Sequence, residues 1–224
     1  MCDCSMILSI DQFVNNRFTS NTFSISSVNN DFLVFIDFGT LIDVVKNFGE
    51  AVNKTVFLFL THCHYDHIYF VNNLIEAVNR LEIYSSQHTL SGLSNPKQNL
   101  SFYHEDPVSI SVRFNNTFAL IDGSCIQIDN QCEIIAYHTP GHNPGCMSYQ
   151  VANHLFTGDS YIPFRDIVTK LRGGNKKQAA ESLERIRDLI QLGMYIHPGH
   201  GPSYRVDDSI LEDIDKQIER LISL

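Results

Sequence analysis

Three histidines and an aspartate fall within the heptapeptide THCHYDH, Thr61 to His67, directly after the apolar run VFLFL. Imidazole nitrogens and carboxylate oxygens are groups that Zn²⁺ takes at about 2.0–2.2 Å. His62 and His64 stand two apart at the end of a strand, so alternation sends both to one side. The chain then turns, which brings Asp66 and His67 round to a neighbouring point. One short segment can therefore offer two ligands to each of two adjacent metals. Three later turns carry further candidates. In HTPGHNPG a Pro-Gly turn fixes His142 after a strand, and in LFTGDS an apolar strand ends on Asp159, whose two oxygens could bridge two ions. In IHPGHGP the turn recurs with His200, while His197, before the proline, reads as support for the turn. Taken singly, each later residue reads more simply as a surface-loop histidine or a turn aspartate. It is the heptapeptide that gives them something to complete.

Two Zn²⁺ ions about 3.5–4 Å apart can share a water and lower its pKa toward neutrality, which makes a hydroxide nucleophile at pH 7. Asp66 then has a second task, orienting that hydroxide or relaying a proton to the leaving group. No serine or cysteine nucleophile is needed. Substrate choice falls to the segment SYIPFRDIVTKLRGGN, Ser160 to Asn175. Its Arg165, Lys170 and Arg172 could receive a carboxylate or phosphate, against the simpler reading of a solvated basic loop.

The positioning elements are short and alternate in type. Strands are expected at Thr22 to Val28 and Phe32 to Asp37 around the turn Asn29 to Asp31, and at Thr55 to Thr61, whose continuous apolar character marks burial on both faces. Leu41 to Glu50 has helical spacing with Gly49 as a stop, Phe70 to Arg80 is amphipathic, LEIYSS is a strand, and a weak helix follows at Gln87 to Leu93. Further strands are expected at Val108 to Phe114, Ser124 to Ile128, Glu133 to His138, Cys146 to Val151, His154 to Thr157 and in MYIHPGH. Long helices are expected over Asn175 to Leu192 and Asp207 to Ile222. This order suits two sheets packed face to face with helices outside.

The chain has 224 residues, 43% hydrophobic and 18% charged, and a formal charge of −9. That describes one ordinary globular domain over residues 1–224, and the acidity weakens the case for a nucleic-acid partner. No apolar run approaches the length of a membrane span. The start MCDCSMILSI lacks the features of a signal peptide, and six sparse cysteines read as reduced thiols, so the expected location is cytoplasmic. Cys2 and Cys4 are expected to be idle, and Cys63 and Cys146 to be small packing residues.

HCHYDH, HTPGHNPG, FTGD and PGHG, in this order, resemble the metallo-β-lactamase-fold hydrolases, above all their small glyoxalase II-like members. NTFSI, VFIDFG and the helix after GGN extend the likeness over most of the chain. The resemblance implies an α+β fold, a four-layer αββα sandwich with the site at one edge between the sheets. It implies that His62, His64 and His142 hold one metal, that Asp66, His67 and His200 hold the second, and that Asp159 bridges. Asp37 matches an aspartate that supports the ligand loop, although Phe38 stands where a proline is usual. In lactonases that look similar, a tyrosine near Tyr161 contacts a substrate oxygen, so Tyr161 is a catalytic candidate. The implied activity is hydrolysis of a small thioester, ester or lactone with two Zn²⁺ per chain, iron or manganese being the alternative load. A mononuclear iron persulfide dioxygenase, held by His62, His142 and Asp159, is the competing reading; a phosphodiesterase or nuclease stands behind it. A small-molecule substrate is the expected partner, and a homodimer is left open.

Overall fold

Alternating strands and helices build two six-stranded sheets, seen here in a computed structural model that describes residues 8–27, 32–49, 53–111, 116–130 and 132–223. The first sheet holds, in spatial order, β1 (Leu8–Val14), β2 (Asn21–Ser27), β3 (Leu33–Ile36), β4 (Thr55–Phe59), β5 (Arg80–Ser86) and β6 (Thr117–Leu120). Its β1–β2–β3 pairs are antiparallel. From β3 to β6 the pairs are parallel. Parallel pairing needs crossovers, supplied by α1 (Val44–Phe48), α3 (Val71–Ala77) and α4 (Gln87–Gly92). The second sheet runs β7 (Cys125–Gln127), β8 (Glu133–His138), β9 (Met147–Val151), β10 (His154–Gly158), β11 (Tyr195–Pro198) and β12 (Tyr204–Arg205). Only its β10–β11 pair is parallel, and α5 (Lys176–Leu189) makes that crossover. The amphipathic α6 (Asp208–Ile222) follows β12.

Three apolar clusters separate four layers. Phe23, Ile25, Val34, Ile36 and Phe59 of the first sheet meet Ile134, Ala136, Tyr149 and Phe156 of the second. The opposite face of the first sheet, with Leu33, Phe35, Val56 and Leu58, packs on Val44, Ile68, Val71 and Leu74 of the helices. Outside the second sheet, Leu155 and Ile196 pack on Leu183, Ile186, Ile210 and Ile214 of α5 and α6. This explains why VFLFL is apolar throughout: Val56 and Leu58 face the helices, Phe57 and Phe59 face the other sheet. The architecture is the αββα sandwich. No helix among the described residues is long and apolar enough to cross a membrane.

The sequence reading misses β1, β6 and β12, and it misplaces one strand. Val108 to Ser111 is not strand. Val108 and Ile110 are buried in the outer cluster of the first sheet, where Asn99 and Ser101 donate to the Val108 carbonyl at 2.9 and 3.2 Å. The rest of that expected strand, the turn at Asn29 to Asp31, and Cys2 and Cys4 lie outside the described residues.

Candidate metal centre

Beyond β4 the chain runs through Leu60 and bends at Thr61. It turns at His64 into the single-turn helix α2 (Tyr65–Ile68), whose first turn carries Asp66 and His67. His62, His64 and His67 are all buried. One residue of the neighbouring strand end organises them. Asp37, at φ 57°, accepts from Thr61 N–H and Thr61 Oγ1, each at 2.7 Å, and from His67 Nδ1 at 2.8 Å. Asparagine and aspartate tolerate this left-handed conformation better than most residues. The Thr61 hydroxyl spends its one hydrogen in donating to Asp37, so Thr61 Oγ1 accepts from His62 Nδ1, 3.1 Å away. Asp37 therefore fixes two imidazoles, His67 directly and His62 through Thr61. Each is left with Nε2 facing the cluster.

The second sheet delivers its residues one turn at a time. His142 follows β8, and its Nδ1 donates to the Val168 carbonyl at 2.8 Å, which leaves Nε2 as the free lone pair, 2.8 Å from His64 Nδ1. Asp159 follows β10. Its Oδ1 lies 3.4 Å from His67 Nε2; its Oδ2 lies 3.5 Å from His142 Nε2 and 3.6 Å from His200 Nε2. His200 follows β11, with Nε2 3.3 Å from Asp66 Oδ2. Gly199 must be glycine here, because a Cβ would sit 2.1 Å from Asp159 Oδ1. The first sheet's β2 grips this last turn. Asn21 N–H donates to the Gly199 carbonyl at 2.7 Å, and Asn21 Nδ2 donates to the Pro198 and Gly201 carbonyls, both at 2.8 Å. His197 supports the same turn through Ser203 Oγ, at 2.7 Å, and packs on Phe156.

All seven residues thus converge. They fall into sets whose ligand atoms lie within 4.8 Å of one another: His62, His64 and His142; Asp66, His67 and His200; and His62, His67 and Asp159, which joins the two. Three buried atoms of the cluster, His62 Nε2, His67 Nε2 and Asp159 Oδ1, have no hydrogen-bond partner. Buried polar atoms left this way are costly, and a divalent cation satisfies them together. Burial, with repulsion from His67 and His64, drives the His62 imidazole well down, and burial with His142 takes His64 down to about 3. Burial works against the charge on His67 too, but Asp66, Asp159 and Asp37 outweigh it and hold His67 well up. Burial disfavours the Asp159 carboxylate, yet His67, His142 and His200 hold it well below the usual range. A compact pocket of imidazoles ringed by ionised carboxylates fits a dication. The donors are all nitrogen and oxygen, which suits zinc, iron or manganese.

Other expected site residues lie elsewhere. Tyr161 is fully buried in the outer cluster of the second sheet, and its hydroxyl donates to Asp213 Oδ2 at 2.9 Å. That corrects its reading as a substrate contact: α6 claims the hydroxyl. Arg165 borders a hollow with Thr19 and Gly201, on the His200 side. Arg172 borders another with Asn143, whose Nδ2 lies 3.2 Å from His64 Nε2. The buried Cys63 and Cys146 act as packing residues; burial pushes the Cys63 thiol up to about 12 and raises Cys146 as well. The sequence reading overlooks Thr61, Asn143 and Asn21, although the first two adjoin ligands in the chain.

Residues 20–200 match the model of the Metallo-beta-lactamase superfamily. The chain is 28% identical over 210 residues to a probable metallo-hydrolase of Streptococcus pyogenes serotype M6, covering 89% of this chain and 86% of that one. It is 30% identical over 167 residues to a probable polyketide biosynthesis zinc-dependent hydrolase of Bacillus velezensis, covering 73% of this chain and 66% of that one. Among solved structures, the BLEG-1 B3 metallo-beta-lactamase shares the fold with a TM-score of 0.77 at 22% identity, over 94% of this chain and 97% of that one.

Proposed function

The chain belongs to the metallo-beta-lactamase superfamily, and from that premise we propose that it is a two-zinc hydrolase of a small thioester, ester or lactone. The observation that carries this reading is Asp159, whose one carboxylate lies within 3.6 Å of His142, from one histidine set, and of His67 and His200, from the other. His62, His64 and His142 would hold one ion, Asp66, His67 and His200 the other, with Asp159 shared. Such a pair supplies Lewis acidity and a water of near-neutral pKa. The name of the Bacillus velezensis relative supports zinc.

The remaining work belongs to the chain. His62 and His67, fully buried, form a floor closed to solvent. Asp66 is partly open, and despite its burial His67 and His200 hold it below the ordinary carboxylate range. Its carboxylate is therefore ionised at neutral pH, fit to hold a cation and, at the open edge, to accept a hydrogen bond that orients the attacking water. Arg165 borders the hollow beside Gly201 and Arg172 the one beside Asn143, and neither has an ion-pair partner among the described residues, so each is available to an acidic substrate group. Metal analysis of the purified protein, followed by a thioester, ester, lactone and phosphodiester panel, tests the reading. The expected result is about two zinc ions per chain and hydrolysis that a chelator abolishes. A single iron with oxygen uptake on a persulfide would replace the hydrolase by the dioxygenase.

A further inference from the structure

Behind His142, away from the centre, the segment 166–170 and the last turns of α6 enclose a groove of about 580 Å³. That is within the range of small-molecule sites. Its walls are apolar, from Ile167, Val168 and Leu221. Its rim carries Lys170, Lys176 and Arg220. Arg220 is neutralised by Asp166, at 2.8 Å, but the two lysines have no carboxylate partner among the described residues. Two unpaired cations on one groove, against the single carboxylate of Asp166, are notable in a chain of net charge −9. Gln217, only 1% exposed, also contributes to the lining. Its Nε2 donates to Asp213 Oδ2 and to the Ile162 carbonyl, while its Oε1 has no partner at all. That oxygen is closed to solvent, so it lies beneath the groove's surface and not on it.

The groove and the centre do not communicate directly. The Val168 carbonyl receives His142 Nδ1, and the other nitrogen of that ring faces His64 and Asp159. The backbone of residue 168 therefore stands between them, and none of the seven clustered residues lines the groove. We propose that this groove is a binding site, separate from the metal centre, for a small apolar acid. The anionic group pairs with Lys170 and Lys176, and the apolar body lies on Ile167, Val168 and Leu221.

N-hexanoylglycine has both features and serves as the probe, titrated calorimetrically into the full chain, both metal-loaded and chelator-stripped. The expected result is one molecule bound per chain in both forms. The K170Q/K176Q double variant, altered only at exposed positions, should bind at least about tenfold more weakly. The neutral methyl ester of the probe should weaken similarly. No saturable binding at millimolar concentration, or equal binding by the double variant or by the ester, would overturn the site. So would binding that vanishes with the metal, since that places the acid on the centre. Because binding is read without turnover, this test stands or falls independently of the hydrolase reading.

Discussion

The two sheets reach the same centre by different means. The first sheet contributes His62, His64, Asp66 and His67 from one turn, in which the single carboxylate of Asp37 holds His67 directly and His62 through Thr61. The second contributes His142, Asp159 and His200 from three turns far apart in sequence, with His142 and the turn of His200 held separately. The first arrangement concentrates risk in one residue, whereas the second distributes it. A fault in the first half should reach both metals, and a fault in the second should be local.

The strongest way to break that contrast is Asp37→Ala. It removes the acceptor of three buried hydrogen bonds and puts alanine at a left-handed φ, so stability should fall by about 3–5 kcal/mol in denaturant titration. Metal affinity should fall about 10–100-fold at both positions. Retention of both ions would remove Asp37 as the hub. His142→Ala should lower kcat/KM by about 1000-fold or more, yet cost about one metal equivalent, a local loss. A fully metallated, fully active variant would undo the site assignment. Gly199→Ala forces a methyl group onto Asp159 and should cost about 100-fold in activity with the rest of the fold intact by circular dichroism.

A pH test sharpens the same contrast. Burial, then His154, takes the folded His197 pKa down to about 3, whereas the unfolded value is about 6.5. On acidification the unfolded chain binds this proton first. Stability is therefore unaffected above the unfolded value and is lost as pH falls from about 6.5 toward 3. His197→Phe, which keeps the stack on Phe156, should reduce the loss between pH 7 and pH 5 by up to about 2 kcal/mol. An unchanged slope would show that His197 carries none of it. The smallest effect is expected from Tyr161→Phe: activity within about threefold and stability lower by about 1 kcal/mol. A hundredfold loss of kcat there would restore Tyr161 to the site.

The same contrast governs what the sequence discloses. Ligands that share a turn are legible as a run of letters, so THCHYDH announces itself. His142, Asp159 and His200 are legible only because Pro-Gly and Gly-Asp turns follow apolar strands. Tyr161 misleads because Asp213, which takes its hydroxyl, is distant in the chain, and no local pattern tells which face of a loop a helix will cover. The edge strands β1, β6 and β12 are missed for a related reason. They are short or only half-buried, so the apolar signal is weak. Val108 and Ile110 show the converse: alternating apolar residues bury themselves without a strand when side chains of neighbouring turns bond the backbone instead.

The grip of Asn21 on the turn at Gly199 has a consequence for how the protein is made. Its side-chain amide meets the Pro198 carbonyl across 177 residues of sequence. Contacts of such separation are closed late, because the entropy of bringing the ends together must be met before they give any return. His62, His64 and His142 can gather once Val168, whose carbonyl orients His142, has been made, but the set containing His200 waits for β11. A cation arriving early would find one half-site ready and the other still unwritten. Loading of the two positions should thus follow the order in which the ribosome releases them, with Asn21 as the last clasp to shut.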